Sequence, residues 1–243
     1  MRSAQLERNL KIYQDEAHIA AEEDFFRWQA DKFALLVEEI GRLPEKRLIA
    51  DIDSYTGLGC ARFLELEGVE QVHAFDASQE ALTQAASRGL HTHPWVIGED
   101  PCPLQDRSFD LVVASDLIEH LVDTDQFLKD LQGMITPTGH VIITTPNLGW
   151  WFNRLRLLTG KIPWGHPGVS STVRRDLVVD LNHIRLNLTN EWSHLFEHHG
   201  FRVEKVLGYR LNSYLSGWKL LIDKWIADPH LTYSNLFLLS LRG

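Results

Sequence analysis

The feature that most constrains this chain is an alternation that begins at Arg47. LIADI, SYTGLG, CARFLELEG, QVHAFDAS and SQEALTQAASRG follow one another as apolar run, turn, mixed segment, apolar run and amphipathic segment. Short, nearly continuous apolar runs fit strands buried on both faces, and the mixed segments between them fit crossover helices. The first helix is expected over CARFLELEG, closed by Gly68, and the second over SQEALTQAASRG, with Ser78 as N-cap and Gly89 at its end. WVIG reads as a third strand and FDLVVAS as a fourth. A helix follows in DTDQFLKDLQGMI, and PTG turns the chain into a fifth strand, HVIITTP. FRVEKVLGYR and NLFLLSLR read as two more strands, separated by a helix in SYLSGWKLLIDKWIA. The expected fold is therefore α/β, a doubly wound, mostly parallel seven-stranded sheet.

Such a sheet needs a large core, which 243 residues at 44% apolar content can supply as one domain. Residues 46–243 hold the alternation, with a cap segment over 148–190. Residues 1–45 read as an N-terminal helical extension, because Leu10, Tyr13, Phe25, Trp28, Phe33, Leu36 and Ile40 recur at helical spacing and Gly41 and Pro44 follow. Cys60 and Cys102 stand apart, so neither a disulfide framework nor a cysteine metal site is expected. His198-His199 sits at a helix end, where the helix dipole favours histidine, and implies no metal either. No apolar run approaches the roughly 18 residues needed to span a bilayer, and a cytoplasmic location is expected. The net charge of −9 argues against a nucleic-acid partner. It is uneven: residues 1–140 carry 12 Lys/Arg against 26 Asp/Glu, and residues 141–243 carry 12 against 7. The sequence sets no oligomeric state.

In an open parallel sheet, ligands bind beyond the carboxyl ends of strands where the winding reverses, which points to the loop Asp51-Ile52-Asp53-Ser54-Tyr55-Thr56-Gly57. Gly57 lets the backbone approach a ligand closely. Asp76 ends the second strand, where its carboxylate can accept two ribose hydroxyls or cap the following helix. The series ADIDSYTG, VHAFDAS, PLQDRSFDLVVASDLIEHL and MITPTGHVIITTPN, over residues 47–147, resembles the class I S-adenosylmethionine-dependent methyltransferases, type 11/12-like. The resemblance implies a Rossmann-like methyltransferase fold with S-adenosylmethionine as cofactor. Asp76 then lies on the ribose and Ala77 and Ser78 near the adenine, with Asp51, Asp53, Tyr55, Gly57 and Ser115 also lining the cofactor. The acidic residue that the family carries after the third strand falls at Gly98, leaving Glu99 or Asp100 to serve. The family's GxGxG loop corresponds to Asp53-x-Tyr55-x-Gly57, so two of three glycines are replaced. Asp53 can pair with a methionine ammonium while repelling its carboxylate, and Tyr55 can close the space. A dehydrogenase GxGxxG fingerprint is absent, which makes hydride transfer a minor alternative.

After TTPN, the stretch from Leu148 to Arg175 carries five Lys/Arg and no acid, with Trp150, Trp151, Phe152 and Trp164. A helix from Trp150 to Leu158 would put Trp151, Leu155 and Leu158 on one stripe, with Arg154 beside it. Three readings stand: a lid packed on the core, recognition of an anionic or planar acceptor by arginine and tryptophan, and peripheral contact with a membrane surface. The segment is also loosely similar to methionine-biosynthesis-type and polysaccharide- or lipid-associated methyltransferases. NHIRLNLTNEW resembles an HxR segment of a subset of these enzymes. Thr189 is expected to cap the next helix, burying Trp192, Leu195 and Phe196.

His120 and His183 are the candidate bases, since an imidazole near neutral pKa can take a proton from a hydroxyl or amine. Glu119 is placed to orient His120 or contact the acceptor, and Arg185 to bind it. The expected function is methyl transfer to an oxygen or nitrogen of a small-molecule, sugar or lipid-like acceptor. The rival, motivated by Asp53 and Tyr55, is a catalytically silent methyltransferase-like binding or regulatory domain.

Overall fold

The computed structural model describes residues 29–166, 183–210 and 215–243. The expected helical positions before residue 29 and residues 167–182 of the expected cap lie outside the described residues. The first described element is α1 (Ala30–Arg42), which runs through Gly41 and stops at Leu43, ahead of Pro44. Then come β1 (Leu48–Ile52), β2 (Gln71–Asp76), α2 (Gln79–Ser87), β3 (His91–Pro94), β4 (Phe109–Ser115), α3 (Thr124–Met134) and β5 (Ile135–Pro146). The chain ends with α4 (Trp151–Leu158), α5 (Thr189–His198), β6 (Phe201–Tyr209), α6 (Trp218–Trp225) and β7 (Ser234–Leu241).

The seven strands form one sheet in the order β3-β2-β1-β4-β5-β7-β6. β1 to β5 pair in parallel, and β7 runs antiparallel between β5 and β6. The sheet has a hydrophobic core on each face, as expected for strands apolar on both sides. One gathers Phe127, Leu128 and Leu131 of α3 with Trp192 and Phe196 of α5. The other gathers Leu36 and Ile40 of α1 with Leu82 and Ala85 of α2. Burial of each large apolar side chain of this kind contributes about 1.5–3 kcal/mol. The winding reverses between β1 and β4, so the carboxyl ends of β1, β2 and β4 open on one crevice.

Several local expectations are corrected. CARFLELEG forms a 3-10 helix over Cys60–Glu65 that ends ahead of Gly68, with Leu66 N–H bonded to the Phe63 carbonyl. Its three-residue period turns Cys60 and Phe63 inward. The third strand is HTHP rather than WVIG. It lies at the sheet edge, where polar residues are tolerated, and Trp95 drops from its end into the core while Val96–Asp100 turns. The PTG segment is an irregular part of β5: Ile135 pairs with Phe109 and His140 with Leu111. A side chain at Gly139 would stand 3.0 Å from the Phe109 carbonyl. Ser78 caps α2 as expected, its hydroxyl accepting from Ala81 N–H at 3.2 Å, and Gly89 follows with φ +85°. Thr189 is not a cap. Its hydroxyl donates to buried Asn235 of β7, while the Glu191 carboxylate accepts the Leu188 N–H at 2.7 Å.

Candidate active site

Asp51, Asp53 and Asp76 converge where β1 and β2 end. The loop after β1 is fastened to β2 by backbone: Ser54 N–H bonds to the Phe75 carbonyl at 3.0 Å, and Tyr55 N–H to Asp76 Oδ2 at 2.8 Å. The other Asp76 oxygen accepts Ser78 N–H at 2.7 Å, so this carboxylate joins both loops. Its cap-like role and its place in the crevice are therefore combined, and each oxygen keeps acceptor capacity for a hydroxyl.

The backbone of the loop answers the missing glycines. Asp53, Tyr55 and Gly57 have φ of 62°, 51° and 74°, all left-handed. The conformation suited to glycine persists although two of the three residues carry side chains, at a cost of order 1 kcal/mol each or more. Gly57 is required for a second reason: a Cβ there would meet Leu90 at 2.3 Å and Ala85 at 3.0 Å.

This corner is short of positive charge. Burial, opposed by contacts to Cys60 and Lys32, raises Asp51 to about 7. Burial and the neighbouring Asp76 and Asp51 raise Asp53 to about 8. Burial also raises Asp76 above the usual carboxylate range, against the backbone donors of Ser78, Tyr55 and Ala77. Carboxyls that resist ionisation for these reasons form a place where a cationic ligand is stabilised. Ser115, at the end of β4, shares a 3.0 Å hydrogen bond with Thr144. Glu99 and Asp100 lie on the exposed turn after Trp95, where Asp100 Oδ2 accepts Val96 N–H.

A second group forms beyond β4. Glu119 is fully buried beside His120 and His183, with its Oε1 at 4.0 and 3.9 Å from their Nε2 atoms. The two imidazoles are 4.7 Å apart, centroid to centroid. His183 reaches this point because the two residues after it are tied down. Ile184 N–H bonds to the Glu119 carbonyl, and Arg185 donates to Thr124 Oγ1 and the Val122 carbonyl. His183 Nδ1 lies 2.8 Å from the Gly165 carbonyl, which selects the Nδ1–H tautomer and makes Nε2 the basic nitrogen. Burial and Asp116 push Glu119 well above the usual range, opposed by Thr145 and Lys32, and neither carboxyl oxygen has a hydrogen-bond partner of good geometry among the described residues. Glu119, His120 and His183 each offer one ligand atom within 4.8 Å of the others, a donor set suited to a divalent cation. Neither cysteine nor histidine spacing signalled this group.

Sequence reasoning also missed the residues between the two groups. Lys32 of α1 is buried and bonds Asp116 Oδ2 at 2.8 Å. Asp116 Oδ1 accepts from Tyr209 at 2.9 Å and from Thr144 at 3.0 Å. Burial would raise the Asp116 carboxyl, but Lys32 and these donors outweigh it and hold it below the usual range. Asp116 is itself left-handed, φ 52°. The available signal was Lys32 next to Phe33 on the inward face of an amphipathic helix.

The aromatic segment behaves differently from expectation. Trp150 is 1% exposed and packs with Phe152 and Leu215, and the indoles of Trp150 and Trp151 both donate to Asp223 of α6. The expected helix forms, but Leu155 and Leu158 of its stripe are exposed, Leu158 at 85%, while Phe152 and Asn153 face inward. Arg154 donates to the carbonyls of Gly149 and His230.

Comparison with known proteins agrees with this architecture. The family described as Methyltransferase domain matches residues 51–143, the stretch from β1 into β5. A Thermotoga maritima structure described as a SAM-dependent methyltransferase, possible histamine N-methyltransferase, superposes with a TM-score of 0.63 at 18% identity. The match covers 91% of this chain and 95% of that one. The fold is that of a class I methyltransferase. Within that fold, this chain is 40% identical over 124 residues to a ubiquinone biosynthesis O-methyltransferase of Bradyrhizobium diazoefficiens, covering 49% of this chain and 47% of the relative. It is 32% identical over 107 residues to a malonyl-[acyl-carrier protein] O-methyltransferase of Pseudescherichia vulneris, covering 44% and 42%. The chain thus spans about half the length of these curated relatives. No described helix of this methyltransferase fold is long and apolar enough to cross a membrane.

Proposed function

We propose that this protein is an S-adenosylmethionine-dependent methyltransferase acting on an oxygen or nitrogen of a small-molecule, sugar or lipid-like acceptor. The observation that carries the proposal is the attachment of the β1 loop to Asp76 through Tyr55 N–H, which gathers three carboxyls that a cationic cofactor would help to ionise. When bound, the cofactor supplies an activated methyl group on a good leaving group. Asp76 accepts the ribose hydroxyls, with Ala77 and Ser78 beside the adenine and Ser115 at the β4 end of the crevice. Asp51 and Asp53 offset the cofactor's positive charge, and Tyr55 and Gly57 shape the loop around it. Glu99 and Asp100 approach the adenine side through a shift of their turn.

On the acceptor side, His183 Nε2 takes the proton of the attacking hydroxyl or amine while its Nδ1–H stays on the Gly165 carbonyl. Glu119 Oε1 lies 3.9 Å from that nitrogen, and His120 closes the other side. Arg185 holds the His183 segment in place, and Trp151 and Arg154 fix the helix that borders it. Oxygen is the favoured acceptor atom, because the curated relatives named above are O-methyltransferases. The hydrogen-bond-poor Glu119 carboxyl favours a second reading, in which Glu119, His120 and His183 hold a divalent cation that acidifies the acceptor hydroxyl. Chelation would then abolish turnover, and a base mechanism would be indifferent to it.

Calorimetry with S-adenosylmethionine and S-adenosylhomocysteine tests the main proposal, with binding of both expected and weakening of both by Asp76→Ala. Absence of binding at millimolar ligand would leave the silent-domain reading in its place.

A further inference from the structure

Helix α6 is amphipathic in an unusual sense, because its polar anchor faces the protein and its apolar side faces out. Asp223 is its one buried residue, held by the indole N–H groups of Trp150 at 3.0 Å and Trp151 at 2.7 Å. Arg210 grips the far end through the carbonyls of Asp223, Lys224 and Ile226. The helix is therefore fixed in orientation. Trp218, Leu221, Ile222 and Trp225 recur at one-face spacing and are 57%, 61%, 41% and 88% exposed. The adjoining α4 adds exposed Leu155, Leu157 and Leu158. The charges near these helices are mainly cationic: Lys224 on α6, Lys219 with its ammonium over the Phe152 ring, and Arg154, Arg156 and Lys161 on and after α4, against exposed Asp228 after α6.

We propose that this face docks on the surface of an anionic phospholipid bilayer, with α6 lying in the headgroup region. A short helix with tryptophan at both ends, leucine and isoleucine between them and lysine at the flanks has the composition of an interfacial helix. Its cations match an anionic surface, and residues 141–243, which include both helices, carry 12 Lys/Arg against 7 Asp/Glu. The same charges disfavour a second copy of the chain as occupant, because a two-fold contact would set cations against cations. The inference stands independently of methyl transfer.

The test is co-sedimentation of the full chain with vesicles of phosphatidylcholine alone and of phosphatidylcholine with phosphatidylglycerol. Binding is expected only with the anionic vesicles and should weaken with added salt. The double variant Trp218→Ala/Trp225→Ala should lower partitioning about tenfold or more. Trp225→Ala alone, at the most exposed position, should lower it severalfold without a change in circular dichroism. Lys219→Gln/Lys224→Gln should remove most of the lipid-charge dependence. Three results would overturn the proposal: no binding to anionic vesicles at low salt, unchanged binding by the folded tryptophan variants, or a solution dimer that these variants convert to monomer.

Discussion

The corner proposed to hold the cofactor and the group proposed to face the acceptor differ in how they are assembled. Asp51, Asp53 and Asp76 sit on consecutive strand ends and are joined by backbone hydrogen bonds. Glu119 and His120 come from the loop after β4 and His183 from the cap, and they meet only because Ile184 and Arg185 tie the cap back to that loop. The first arrangement follows from local chain geometry and tolerates side-chain replacement, as Asp53 and Tyr55 show by keeping left-handed φ. The second depends on a few tertiary contacts and should fail when any one is lost. Lys32 links the two, since it bonds Asp116 and lies close enough to Asp51 and Glu119 to oppose their upward shifts.

That contrast can be broken at several points. If Lys32 joins the two regions, Lys32→Ala leaves Asp116 without its buried partner and should destabilise the protein by about 3–5 kcal/mol, measured by urea unfolding. On the acceptor side alone, His183→Ala should lower kcat by about 10²–10⁴-fold, with S-adenosylmethionine affinity unchanged in calorimetry. On the cofactor side alone, Asp76→Ala should weaken cofactor binding by about ten- to a hundredfold, the worth of one or two charge-assisted hydrogen bonds. An equal effect of both substitutions on cofactor affinity would deny the separation.

Smaller effects sharpen the cofactor side. Asp51 and Asp53 hold protons in the fold that they release when unfolded, so their contribution to stability is full below about pH 4 and fades as pH rises through about 7 to 8. The melting temperature of the ligand-free protein should therefore fall between pH 6 and pH 9, and more steeply than in Asp53→Asn. Asp53→Gly relieves both the repulsion and the left-handed backbone and should stabilise the ligand-free protein by about 1 kcal/mol.

The doubly wound sheet, its mostly parallel strands and the Asp76 corner were legible because apolar period, turn residues and caps act locally. The third strand was misplaced because edge strand HTHP carries no apolar signal, while Trp95 beside it lends one to the turn. Thr189 looked like a cap, but buried Asn235 claims its hydroxyl. His120, His183 and Glu119 were singled out residue by residue but not as a cluster, since their proximity depends on where the cap returns. Lys32 and Tyr209 were invisible for the same reason: only the folded sheet brings α1 and β6 against Asp116.

The most direct test of the account is to titrate S-adenosylmethionine into the protein at pH 6 and pH 8.5 in buffers of differing ionisation enthalpy. A cationic ligand among Asp51, Asp53 and Asp76 should bind more tightly at the higher pH. It should also release protons on binding near pH 7, and more of them than S-adenosylhomocysteine does. Binding that is independent of pH with no proton release, or no binding at all, would contradict it.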